Sequence, residues 1–249
     1  AMNTIDVYGS ERPGFNWYVG LPFGGTNTKP SAFSVSNSVL NLTDSPRNYN
    51  WAISSYCIAK DHGHTFRFGY FEARMRFDPT LGNISRGFPA WWALSTTYSR
   101  VDKMFDSERW AELDFFEAYT SAYGFSDYNG SFVGTVHDWA ESATVQYQNA
   151  NNIQPVPEGT DFNQWHTFGC LWTPGEITWY FDGVPLMTQK YSATDPPNPT
   201  PNARAGSPIP PPPGTFSILD TDPQGLLIIL GSDPNWPLYV DWVRVWQAE

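Results

Sequence analysis

Glu112, Asp114 and Glu117 fall within six residues of the stretch WAELDFFEAY (110–119), among Trp110, Leu113, Phe115, Phe116 and Tyr119. Acids this close on an apolar strand cannot all ionise freely at neutral pH, so at least one must hold its proton longer than an ordinary carboxyl. An ionised carboxylate beside a protonated one is the nucleophile-plus-acid pair of glycoside hydrolysis. The spacing is two, then three. On a regular strand Glu112, Asp114 and Phe116 share one face and Glu117 turns to the other. One extra residue, a β-bulge at Phe115–Phe116, returns Glu117 to the face of the other two. The Glu112 and Glu117 α-carbons are then expected roughly 12–15 Å apart, at about 3.3 Å per residue. Side chains leaning inward can close that gap to the roughly 5–5.5 Å of a retaining pair or the roughly 6.5–9.5 Å of an inverting one. Two alternatives carry no catalysis: a solvated strand edge, or a calcium site. Calcium draws six to eight oxygens, often from Asp-rich loops containing Gly, whereas these acids sit in an aromatic strand pattern.

The elements that must position this cluster read as strands. FSVSNSVLNLT, FRFGYFEARMRF, PAWWALS, FVGTVHDW, WHTFGCLW, EITWYFDG, LLIIL and LYVDWVRVW are short, β-rich runs separated by Gly, Pro, Asn, Asp and Ser. FEARMRF alternates cleanly, with Phe71, Ala73, Met75 and Phe77 on one face and Glu72, Arg74 and Arg76 on the other. EITWYFDGVPLM predicts a hairpin turning at Asp182-Gly183. Many strands with no βα alternation predict an all-β sandwich or jelly roll. With 249 residues and 41% hydrophobic content the chain can bury one sizeable core, so residues 1–249 are read as a single domain. The Pro-rich segment 195–214, DPPNPTPNARAGSPIPPPPG, cannot join a central ladder. It is read as a long loop within that domain, either a surface excursion or a wall beside a binding cleft.

Composition narrows the partners. A formal net charge of −11 disfavours nucleic acid and anionic membranes, which want a basic footprint. No run of 18 apolar residues is present to cross a bilayer. Cys57 and Cys170 make neither a disulfide framework nor a closed zinc site. The His62–His64 pair reads as a polar loop. The informative number is 17% aromatic residues, 12 of them Trp. Some must fill core, and such an excess also suits a surface that stacks on pyranose rings.

Taken with its neighbours, Glu112-Leu113-Asp114-Phe115-Phe116-Glu117 resembles the Glu-x-Asp-x-x-Glu signature of glycoside hydrolase family 16, the laminarinases, agarases, carrageenases and their relatives. FRFGYFEARMRF resembles the family strand "FKYGRIEARIKL", and GFPAWWALS resembles "WPAFWML". GTVHDW resembles "GTLHYG", WHTFGCLWTPGEITWYFDG resembles "FHVYAVEWTPDKIRWYVDG", and LYVDWVRVWQ resembles "MYVDYVRVYQ". The order holds from about residue 66 to 247.

The resemblance implies a concanavalin-like β-jelly-roll sandwich with a concave substrate cleft, and endo-acting, retaining hydrolysis of a β-linked polysaccharide. By position Glu112 looks like the nucleophile, Glu117 like the acid/base, and Asp114 like the helper that hydrogen-bonds the nucleophile. His137 matches a family histidine near the acid/base, or is a satisfied strand histidine. Trp110 matches a Trp lying under the sugar at the cleaved subsite. Trp91 or Trp92 is expected to add a platform, with PAWWALS leaving open which of them fills core. Trp236, in DPNWP, is expected near the cleft. Asp241 matches the position of a structural calcium ligand in the closing strand; no cofactor is expected for catalysis. The substrate is expected to be a β-1,3-glucan first and a β-galactan next. Transglycosylation on the same site, or a non-catalytic lectin on the same fold, are the alternatives. A secreted monomer is expected, although the opening AMNTIDVYGS shows no signal-peptide pattern. The chain departs from the family pattern at IILGSDPNWPLYV, at DKMFDSERW and at the 195–214 insertion, all read as loops bordering the cleft.

Overall fold

The computed structural model describes residues 5–6, 10–19, 33–42, 51–57, 60–83, 88–96, 110–118, 131–140, 145–154, 156–190, 225–233 and 235–248. Side chains at 51–52, 83, 110, 137–140, 145–153 and 190 lie outside the description, as does the Pro-rich segment 195–214. The strands are β1 (Ile5–Asp6), β2 (Trp17–Val19), β3 (Phe33–Ser36), β4 (Val39–Leu42), β5 (Trp51–Ser54), β6 (Tyr56–Cys57) and β7 (His62–Gly63). They continue with β8 (Gly69–Phe77), β9 (Ala90–Ser95), β10 (Trp110–Glu117), β11 (Phe132–Ala140) and β12 (Val145–Gln154). The last five are β13 (His166–Thr173), β14 (Glu176–Phe181), β15 (Val184–Lys190), β16 (Leu226–Ser232) and β17 (Leu238–Trp246). A 3-10 turn at Pro79–Asn83 follows β8.

An eight-stranded sheet runs β1-β2-β5-β16-β9-β10-β11-β12, and a seven-stranded sheet runs β15-β14-β13-β8-β17-β4-β3. Pairing is antiparallel except between β1 and β2. Both sheets interleave strands from the two ends of the chain, which is the jelly-roll sandwich expected from the sequence. Alternation decides what the sheets bury against each other. On β8, Phe71, Ala73, Met75 and Phe77 are buried while Glu72, Arg74 and Arg76 stay half-exposed. On β13 and β14, Phe168, Cys170, Trp172, Ile177, Trp179 and Phe181 face the same core. Rings from the two sheets meet there, with Phe71 stacked on Phe115 at 4.9 Å and Phe116 against Phe168 at 4.6 Å between centroids. Aromatic pairs at such distances add about 0.5–1.5 kcal/mol each beyond their buried area. Cys57 and Cys170 are separate buried thiols.

The Asp182-Gly183 hairpin is present between β14 and β15, with Phe181 opposite Val184. Both turn residues have positive φ, 48° and 75°, as a two-residue type I′ turn requires. The Asp182 carboxylate accepts from the Thr167 backbone N–H at 2.8 Å and from His166 Nδ1 at 2.7 Å, tying the turn to β13. A Cβ on Gly183 would meet nothing within 4 Å, so only backbone conformation opposes one. Gly183→Ala is therefore expected to lower unfolding free energy in urea by about 1–2 kcal/mol with activity per folded molecule unchanged.

Candidate active site

β10 carries the three acids, and its register is broken where the spacing requires. Against β11, Asp114 pairs with Thr135 and Glu117 with Val133, so three steps on β10 match two on β11. Against β9, Asp114 pairs with Trp92 and Phe116 with Trp91, so two steps match one. The break is a β-bulge at Phe115–Phe116. Its physical cause is visible in the core: Phe115 and Phe116 are adjacent, yet both are fully buried. Phe115 packs on Phe71 and Trp91, and Phe116 on Phe77, Phe132 and Phe168. Two consecutive side chains turned inward leave Glu117 on the face of Glu112 and Asp114, away from the core.

The three carboxyls converge. The Asp114 side chain interacts with both Glu117 and Glu112. Three carboxyls this close, two of them buried, cannot all stay ionised, so the cluster holds a proton. Burial accounts for where that proton resides. Asp114 is 1% exposed, and removal from water pushes its carboxyl up to about 8, against the downward pull of the hydrogen bonds from Glu117 and Glu112. Glu117 is also buried, at 7% exposure, whereas Glu112 is half-buried. A neutral Asp114 can donate its O–H to a neighbouring carboxylate. The arrangement therefore offers a more open carboxylate, a sheltered one, and a buried carboxyl between them that fixes both.

Register supplies the surroundings. His137 stands directly opposite Glu112 on β11, and Trp110 opposite Trp139; the side chains of His137 and Trp110 lie outside the described residues. Thr135, opposite Asp114, is fully buried. It was not singled out in the sequence, although alternation along GTVHDW places it on the face of His137. Trp92 flanks Asp114 from β9 and is half-buried on the face of the acids. Trp179 of β14 reaches the strand from the opposite sheet, its indole N–H donating to the Asp114 backbone carbonyl at 3.0 Å.

A family model described as "Glycosyl hydrolases family 16" matches residues 26–207. The chain belongs to that family. "Endo-1,3-1,4-beta-glycanase ExsH" of Rhizobium meliloti (strain 1021) is 26% identical over 179 residues, 68% of this chain and 32% of the relative. "Kappa-carrageenase" of Pseudoalteromonas carrageenovora is 27% identical over 181 residues, 65% of this chain and 44% of the relative. The chain thus spans about a third to under half the length of these curated relatives. A solved family 16 protein of a Bacteroides ovatus mixed-linkage glucan locus, in complex with its G4G4G3G product, superposes with TM-score 0.59 at 16% identity, covering 92% of this chain and 94% of that one. At this identity it supports the fold.

Within this family 16 sandwich, one open choice is resolved and two expectations for single residues are corrected. Trp91 is fully buried, its ring 4.7 Å from Phe115 in the core, so it has no face for a sugar; Trp92 takes the outer position. Trp236 is 1% exposed. It packs edge-on to Phe77 at 6.0 Å and donates its N–H to the Asp78 carbonyl at 2.6 Å. It closes the end of the core rather than lining a cleft. Asp241 is held by Arg74, Oδ2 to Nη1 at 2.5 Å. A guanidinium there occupies one of the two carboxylate oxygens and repels a divalent cation. The ion pair with Arg74 is what argues against a calcium ion at Asp241.

Proposed function

We propose that this chain is an endo-acting glycoside hydrolase that cleaves a β-linked polysaccharide by double displacement. The observation that carries the reading is the bulge that brings Glu112, Asp114 and Glu117 into one cluster on the outer sheet face. Glu112, the more open carboxylate, attacks the anomeric carbon. The C–O bond to the departing chain breaks as Glu117 gives its proton to the glycosidic oxygen. Glu117, now a carboxylate, takes a proton from water, which attacks the same carbon and frees Glu112. Asp114 donates its single O–H to the Glu112 carboxylate and, being neutral, limits the negative charge that accumulates. Trp92 and Trp110 are the sugar platforms, and His137 the group beside the reacting pair.

The substrate is a β-1,3-glucan by first choice and a β-galactan next, in keeping with curated relatives named as a 1,3-1,4-β-glycanase and a κ-carrageenase. The deciding experiment is reducing-end release from laminarin, mixed-linkage β-glucan, agarose, porphyran and κ-carrageenan, by wild type and Glu112→Gln. Release from laminarin by the wild type alone is the expected result. Binding without release by the wild type would sink the hydrolase reading, and release only from a galactan would overturn the choice of glucan.

A further inference from the structure

The bulge leaves Phe115 without a ladder partner on either neighbouring strand and Phe116 without one on β11. A side chain from the other sheet takes up the backbone group at that point. Trp179 is fully buried on β14, and its indole N–H donates across the core to the Asp114 carbonyl. A buried indole N–H and a buried carbonyl each need a partner, and here each supplies the other's. Opposite the bulge on β11 lies Gly134, between the Thr135–Asp114 and Val133–Glu117 pairs. A Cβ on Gly134 would run into the Trp179 indole, at Nε1, Cε2 and Cδ1. The glycine therefore makes the room through which the indole reaches the strand.

We propose that Trp179, admitted by Gly134, is a positioning residue for the catalytic strand: its N–H holds the Asp114 carbonyl at the bulge and so sets how Asp114 and Glu117 project from the outer face. Without a bulge, Glu117 would turn into the core and Phe116 outward. The burial of both phenylalanines prevents that wholesale slip. What the indole adds is precision, since it fixes the peptide between two carboxyls whose separation must be right to a fraction of an ångström. The inference rests on the hydrolase reading above.

The test compares Trp179→Phe, Gly134→Ala, the double variant and Trp236→Phe on a polysaccharide the wild type cleaves. Trp236→Phe is the matched control, because it deletes an equally buried indole N–H bonded to a backbone carbonyl elsewhere in the core. Trp179→Phe is expected to lower kcat per folded molecule by about 10- to 100-fold, in the range that small misplacements of reacting groups cost. KM should stay within about twofold and the limbs of the pH–rate profile should move. Trp236→Phe should lower the melting temperature with kcat per folded molecule unchanged. Gly134→Ala should mimic Trp179→Phe in the wild-type background and add little to the kcat loss in the Trp179→Phe background, where the hydrogen bond it would displace is already gone. If Trp179→Phe does not fold, Gly134→Ala carries the kcat and pH comparison alone. Wild-type kcat per folded molecule in Trp179→Phe, additive effects of the two substitutions, or an equal kcat loss in Trp236→Phe would each overturn the inference. Failure of the hydrolase reading is distinguishable, because then the wild type releases no reducing ends or Glu112→Gln releases as many.

Discussion

Glu112→Gln is expected to end reducing-end release while leaving polysaccharide binding and the melting temperature near those of the wild type. The amide keeps the shape of the carboxylate but cannot attack an anomeric carbon. Glu112 is half-buried beside two other acids, so removing its charge relieves repulsion as much as it costs contacts. Glu117→Gln should lower kcat on polysaccharide by about 10²–10⁴-fold, the usual worth of a general acid. Its loss should be smaller on an aryl glycoside whose phenol leaves without protonation. That contrast separates the roles, because an activated leaving group bypasses the acid but not the nucleophile. Equal losses in both variants on both substrates would mean that the acid and nucleophile assignments are wrong. Partial activity of Glu112→Gln on the aryl glycoside, with none from Glu117→Gln, would reverse them.

Asp114→Asn is expected to change the pH dependence of stability. The carboxyl titrates near 3.8 when unperturbed and near 8 in the fold, chiefly because it is buried. Below about pH 4 both folded and unfolded chains carry the proton, and the contribution of the neutral group is complete. Between about 4 and 8 the unfolded chain releases the proton while the folded chain keeps it, so stability falls as pH rises through this window and levels off above it. Asparagine stays neutral throughout. The melting temperature of the variant should thus gain on the wild type steadily from pH 4 to 8. A constant difference across that range would show that Asp114 is ionised in the fold. Activity should fall less than in either glutamate variant, because the amide still donates an N–H where the protonated acid donated an O–H.

How much of this was legible beforehand follows from which interactions are local. Strand periodicity is a two-residue rule, so the alternating faces of β8 and the hairpin at Asp182-Gly183 could be read directly from FEARMRF and DG. The bulge was legible for the same reason. Its signature is a breach of that rule, two acids at even spacing and a third displaced by one, and the ladder shows the extra residue there. The aromatic residues were harder. In PAWWALS both faces of β9 are apolar, so alternation places Trp91 and Trp92 on opposite faces without saying which face is core. Trp236 lies between strands, where no period operates, and its partner, the Asp78 carbonyl, is 158 residues away.

The sequence by itself determined the all-β class, the run of strands, and the three acids with the bulge that aligns them, because each depends on neighbours along the chain. Only the tertiary structure decided what lies behind and around them. Trp91 and Trp236 went into the core, Asp241 went to Arg74, and Trp179 went to the Asp114 carbonyl. Each of those outcomes is a contact between residues far apart in sequence. The physical reason is that a strand specifies its own two faces, whereas the sheet packed against it specifies which side chain, N–H or charge it will meet.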